Sequence, residues 1–206
     1  ADSRRNLAYN GESTKYLNMS QSSMKFVSKL VKHLKDKGNW NPHCESASVL
    51  LQQAYVKNRF DVCDLLIQEG IMPMMENLPI VINLRQRTLE SVIKTVHHLK
   101  DKGNWNPHCE SAYVALQVAI ELNCHDVCDL LIQEGISLTM ENLLNEFIMS
   151  ESSVDFFSKL VKHLKDKGNW NPHCDSASVL LQQAHVKKRF DVYFLLIQEG
   201  ISPITI

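Results

Sequence analysis

The sequence predicts an all-α protein, a solenoid of about six stacked helix-turn-helix repeats. Three observations carry that prediction. The twelve residues HLKDKGNWNPHC occur unchanged at 33–44, 98–109 and 163–174, a period of 65. Each occurrence opens a nearly repeated stretch, 39–71, 104–136 and 169–201; the first and second differ at eight positions, the first and third at five. Within those stretches apolar residues recur at helical spacing, and strand signals such as sustained alternation are missing. A long fixed period marks supersecondary units that bury their apolar faces only by stacking.

Each 65-residue unit reads as four short helices. Ala47, Leu50, Leu51 and Ala54 fall at i, i+3, i+4 and i+7, one stripe of a first helix. Lys57-Asn58-Arg59 is a polar turn. Asp61 stands where an N-cap is wanted, and Val62, Leu65, Leu66 and Ile67 form the second apolar face, stopped by Gly70. A third helix runs from Glu76 to about Arg85 on Leu78, Val81, Ile82 and Leu84. Pro79 lies in its first turn, where proline is tolerated, and the matching residue of the next unit is Leu144. A fourth runs from Leu89 to Lys100 on Val92, Ile93, Val96 and Leu99 and ends at Asp101-Lys102-Gly103. Val27, Leu30, Val31 and Leu34 make the same stripe before the first copy of the phrase. HLKDKGNWNPHC is therefore the end of one helix, closed by basic charge and Gly38, and the loop into the next.

Composition narrows the function classes. The chain has 206 residues, 44% hydrophobic and 22% charged, with a formal net charge of −1. That is ordinary globular composition, with no basic excess to bind a phosphate backbone, so nucleic acid is not expected as a partner. No apolar run approaches the roughly 20 residues of a membrane span. The opening ADSRRNLAYNGESTKY lacks the apolar core of a signal peptide. The six cysteines are read as reduced and the protein as intracellular, cytoplasmic or nuclear. The lone sequon Asn18-Met19-Ser20 carries no weight.

Residues 49–71, VLLQQAYVKNRFDVCDLLIQEGI, resemble the core of an ankyrin repeat. Leu51, Ala54, Val62, Leu65, Leu66, Ile67 and Gly70 fall at that family's spacing, as do their counterparts from Leu116 to Gly135 and from Leu181 to Gly200. The 33-residue length agrees. Two features depart from the family: its Thr-Pro-Leu-His start is Val49-Leu50-Leu51-Gln52 here, and its turn glycine is replaced by Asn58, Asn123 and Lys188. The resemblance implies one domain over 1–206 with repeats at about 8–38, 39–71, 72–103, 104–136, 137–168 and 169–201. Another helical-hairpin solenoid is the alternative fold.

The resemblance also implies a non-enzymatic module that binds a protein or peptide through loop tips and inner helices. Carried over residue by residue, that surface is Glu45, Ser46, Ser48, Val56 and Lys57; then Glu110, Ser111, Tyr113, Glu121 and Leu122; then Asp175, Ser176, Ser178, Val186 and Lys187. Ser48/Tyr113, Val56/Glu121 and Lys57/Leu122 are three of the eight differences between the first two copies, and they give the middle copy an aromatic anchor. Neutral drift on a tolerant surface explains the same differences. Trp40, Trp105 and Trp170 occupy one loop position in all three copies and fit either a spaced row of partner contacts or packing over a helix junction.

Catalytic signatures are missing: no GxGxxG, GxxxxGK[ST], GxSxG or HExxH occurs. His43-Cys44 and its copies at 108–109 and 173–174 invite a zinc or redox reading, but no Cys-x-x-Cys exists. The nearest cluster, Cys124, His125 and Cys128, occurs in one copy only. No cofactor or metal is therefore expected. His33, His98 and His163 sit at helix ends, where histidine suits the dipole. The structural metal module stays as an alternative to the binding scaffold, beside a duplicated or engineered array with no partner of its own. The apolar tail Ile204-Thr205-Ile206 fits either a truncated array or end-to-end self-association.

Overall fold

A computed structural model describes residues 24–84, 88–149 and 153–203. The start of the first repeat, the sequon, Arg85 and the Ile204-Thr205-Ile206 tail lie outside them. The described residues are all-helical, with no strand among them. No helix among them is long and apolar enough to cross a membrane. The chain divides into two compact units, up to Trp105 and from Asn106.

The first unit holds α1 (Met24–Asp36), α2 (Glu45–Val56), α3 (Phe60–Gln68), α4 (Asn77–Ile82) and α5 (Leu89–Asp101). Helix α2 packs on α3 and α4, while α3 packs between α1 and α5. The core is the expected stripe: Ala47, Leu50, Leu51, Ala54, Val62, Leu66, Ile67, Leu78, Val81, Ile82, Val92, Val96 and Leu99 are all buried. Leu65 and Ile93 are only half-buried. The third helix stops at Ile82, before Leu84, because its backbone closes at Asn83.

The second unit holds α6 (Glu110–Glu121), α7 (His125–Gln133), α8 (Met140–Met149), α9 (Val154–Asp166), α10 (Asp175–Val186) and α11 (Phe190–Gln198). Helices α6 and α10 both pack on α8, α7 packs on α6, and α9 packs on α8 and α11.

The turn chemistry departs from the sequence reading at one point. Asp61 does not cap α3; Arg59 holds the N-cap position, and Asp61 lies inside the first turn. There its carboxylate accepts from Arg59 Nε at 2.8 Å and Nη2 at 2.7 Å, and Asp191 pairs with Arg189 in the same way. A two-toothed pair with its own neighbour outcompetes the single backbone bond of a cap. The tight turn before it needs a left-handed residue: Asn58, Asn123 and Lys188 have φ of 54°, 53° and 57°.

The repeated phrase has a partner in the other invariant phrase, QEGI. Trp40 donates its indole N–H to the Glu69 carbonyl at 3.1 Å, and Trp170 to Glu199 at 3.0 Å. Lys35 pairs with the Glu69 carboxylate and Lys165 with Glu199. Pro42, Pro107 and Pro172 each face the glycine of QEGI, so that a Cβ at Gly70 would lie 3.4 Å from Pro42 Cγ. Asn104 and Asn169 donate to the carbonyls of Pro73 and Leu138 at 2.7 and 2.9 Å. Asn41, Asn106 and Asn171 each accept the backbone N–H two residues on, fixing the turn. The first residues of a copy thus close on its last, which binds the helix pair between them into one unit.

Candidate functional site

An open groove of about 570 Å³, within the size range of ligand sites, lies in the second unit. Three segments build it. Tyr113 comes from the first turn of α6, Ser137, Thr139, Met140 and Glu141 from the loop entering α8 and its first turn, and Asn169, Asn171, Cys174 and Ser176 from the repeated phrase and the start of α10. Among the described residues, Glu141 is the one charged side chain lining it; the rest are hydroxyl, carboxamide, thiol, thioether and one phenol ring.

The floor is held rigid by a buried carboxamide. Asn142 is fully buried. Its Oδ1 accepts from Thr139 N at 3.0 Å and Thr139 Oγ1 at 2.9 Å, and its Nδ2 donates to Gln117 Oε1 at 3.0 Å. Asn142 N returns a bond to Thr139 Oγ1 at 3.2 Å. This reciprocal cap starts α8 and ties it to α6. Asn169, bonded to Leu138, fixes the same loop from the other side.

Of the residues expected at a partner surface, Tyr113 and Ser176 line this groove and the others do not. Ser48, Tyr113 and Ser178 begin their helices, and Val56/Lys57, Glu121/Leu122 and Val186/Lys187 end theirs. Eight residues of helix separate the two sets by about 12 Å. Glu121 is exposed and accepts from Gln117 at 3.1 Å; Val56 and Leu122 are half-buried. Lys187 is exposed, yet its ammonium donates to the carbonyls of Phe147 at 3.0 Å and Ile148 at 2.7 Å, closing the end of α8. The tryptophans are half-buried, and the indole N–H groups of Trp40 and Trp170 are spent on loop carbonyls. Lys100 Nζ lies 6.0 Å from the Trp105 ring centre.

The sequence reading missed Ser137, Thr139, Met140 and Glu141, which lie in the segment where the units match least. Thr139 followed by Asn142 was the available signal, since a threonine before an apolar run reads as an N-cap.

The reading also missed a relay in the first unit. His98 Nε2 lies 2.7 Å from Asp64 Oδ1, and His98 Nδ1 lies 2.9 Å from the Tyr55 hydroxyl. The carboxylate can only accept, so Nε2 carries a proton, and a neutral ring then takes the phenol proton at Nδ1. Burial pushes the Tyr55 pKa up. The hydroxyl faces no solvent, so the relay is a lock of α5 onto α2 and α3 rather than a site for substrate. His163 and Asp129 keep a 3.3 Å contact, with buried Ile120 where Tyr55 stood.

Among the described residues, no group of three or more His, Cys, Asp or Glu side chains converges as a metal ion requires. In the one sequence cluster, Cys124 donates to the Leu122 carbonyl, Cys128 is buried, and His125 stacks on Phe156 at 3.7 Å. No disulfide joins the cysteines among the described residues. Burial pushes the Cys63 thiol up and keeps it protonated.

Comparison of the chain with protein-family models, with curated proteins and with solved structures finds no match.

Proposed function

We propose that the chain is a non-enzymatic protein-binding module, built from ankyrin-like helical hairpins, that takes an extended segment of a partner across the Tyr113 groove. The groove supports this reading: three segments supply carboxamide and hydroxyl groups at one place, with one aromatic ring among them. Carboxamides and hydroxyls both donate and accept, which suits the alternating N–H and C=O of an extended peptide. Tyrosine gives contact area at low entropy cost. Packing of the helices in two rows within each unit and left-handed turns at Asn58, Asn123 and Lys188 are the features that favour the ankyrin-like description.

The test is selection of peptides from a random library on the intact chain, followed by affinity measurement on Tyr113→Ala and Asn171→Ala. Peptides enriched on the native chain should lose about tenfold or more on each variant, as for removal of a hot-spot residue, with unchanged far-ultraviolet circular dichroism. Enriched peptides that bind both variants as well as the native chain would place recognition elsewhere.

A further inference from the structure

The charge of the Tyr113 groove selects among partner segments, an inference that rests on the binding role proposed for that groove. Three helices enter it by their N-terminal ends: Tyr113 lies in the first turn of α6, Glu141 in that of α8 and Ser176 in that of α10. Helix N-termini by themselves attract anions. Here each first turn carries an exposed acid, Glu110, Glu141 and Asp175. A helix end counts for about half a positive charge and a carboxylate for a full negative one, so the acids outweigh the dipoles. Glu110 precedes Tyr113 by one turn on the same face of α6. Asp175 stands between Cys174 and Ser176 of the lining. Among the described residues no lysine, arginine or histidine lines the groove; Lys167 and His173, the nearest in sequence, stay out of its wall.

Hydrogen bonds already made inside the fold leave a definite remainder. Asn171 spends its Oδ1 on the His173 N–H, so its Nδ2 is left to donate. Asn169 spends its Nδ2 on the Leu138 carbonyl, so its Oδ1 is left to accept. The Glu141 carboxylate has no hydrogen-bond or ion-pair partner among the described residues. The wall therefore offers a carboxylate, a carboxamide oxygen and the Tyr113 ring. A group that suits all of these is cationic, rich in N–H donors and flat. Guanidinium forks onto a carboxylate and lies on an aromatic face, and a lysine ammonium does neither as well.

We propose that the partner segment bound in the groove carries an arginine, whose guanidinium pairs with Glu141 against the Tyr113 ring. Asn171 donates to a main-chain carbonyl of the same segment, and Asn169 accepts from a further N–H. A segment that is acidic at that place meets three carboxylates and is rejected. Glu141 also suits the N-terminus of α8, so the decisive quantity is the choice between peptides and not the stability of the helix.

The test is retention, on the immobilised intact chain, of parallel random heptapeptide libraries that differ only in a central residue fixed as arginine, lysine, glutamine or glutamate. The arginine library should be retained about tenfold above the glutamate library, with lysine between them. The preference should shrink as salt rises from about 0.05 M to about 0.5 M. Glu141→Gln should bring arginine close to glutamine, and Glu141→Lys should abolish the preference for arginine, both with unchanged far-ultraviolet circular dichroism. Loss of a helix-capping acid alone would leave the ratio of arginine to glutamine where it was. Equal retention of all the libraries, or an arginine preference that survives Glu141→Lys, overturns this inference. If Tyr113→Ala still loses the retained peptides in that case, the groove remains a binding site of another preference. Retention that Tyr113→Ala and Glu141→Lys both leave unmoved overturns the groove and the inference together.

Discussion

Trp40 and Glu69 are joined by a hydrogen bond from indole N–H to main-chain carbonyl, 3.1 Å long across 29 residues. The first loop of a 33-residue copy therefore holds its last. Trp40→Phe removes the bond but keeps most of the ring, and should cost about 1 kcal/mol. Trp40→Ala also removes half-buried packing and should cost about 2–3 kcal/mol. Urea unfolding followed by circular dichroism measures both, and equal, negligible losses would rule out the clamp.

The relay through His98 has a sharper signature. His98→Ala leaves the Tyr55 hydroxyl buried without its partner, which should cost about 1–3 kcal/mol. Tyr55→Phe placed in that background should recover part of the loss, because no buried hydroxyl remains unsatisfied. A double-mutant cycle over the two positions should show coupling of at least about 0.5 kcal/mol. Strict additivity would mean the contact contributes nothing.

Backbone conformation makes a prediction of opposite signs. Lys188 holds φ of 57°, a region that costs a non-glycine residue about 1–2 kcal/mol. Lys188→Gly should therefore raise stability by roughly 0.5–1 kcal/mol, part of the gain being lost to the unfolded chain's entropy. Gly70, at φ of 97°, should lose about 1–2 kcal/mol on change to alanine. The new Cβ would meet Pro42 at ordinary contact distance, so the penalty is conformational rather than steric. Melting curves of the two variants check both signs.

The Arg59–Asp61 pair predicts a pH dependence. The Arg59 guanidinium beside Asp61 holds its carboxyl below the usual carboxylate range. A pKa lower in the folded than in the unfolded chain adds stability above the unfolded value, about 4, and that stability disappears as pH falls through the folded value. The Asp61 side chain is 48% exposed, so solvent screening limits the worth of the pair to at most about 1 kcal/mol. Arg59→Ala should be less stable than the native chain at pH 7, and the gap should close towards pH 2–3. A gap independent of pH would assign the loss to packing.

Lys187→Met should loosen the end of α8, because the carbonyls of Phe147 and Ile148 lose their donor. Amide hydrogen exchange in the last turn of α8 should quicken about tenfold, the equivalent of some 1.4 kcal/mol of local opening. Unchanged exchange would show that water replaces the ammonium at no cost.

Much of the fold was legible in the sequence. Helices were readable because burial of Ala47, Leu50, Leu51 and Ala54 imposes a period that survives in one dimension, and Gly70 was readable as a stop because few other residues adopt its φ. The identity of the three HLKDKGNWNPHC phrases was readable as a recurring junction. What they touch was not. Contacts such as Trp40 with Glu69, or Tyr55 with His98, span 29 and 43 residues and follow no local period, so only the packed chain brings them together. The same reason hid the groove, whose walls come from α6, the α8 entry loop and α10. It also hid the difference between Phe60 and Phe190, two identical residues in identical local sequence. One lies beneath α5 and the other faces outward, and nothing decides between them except which helix packs next.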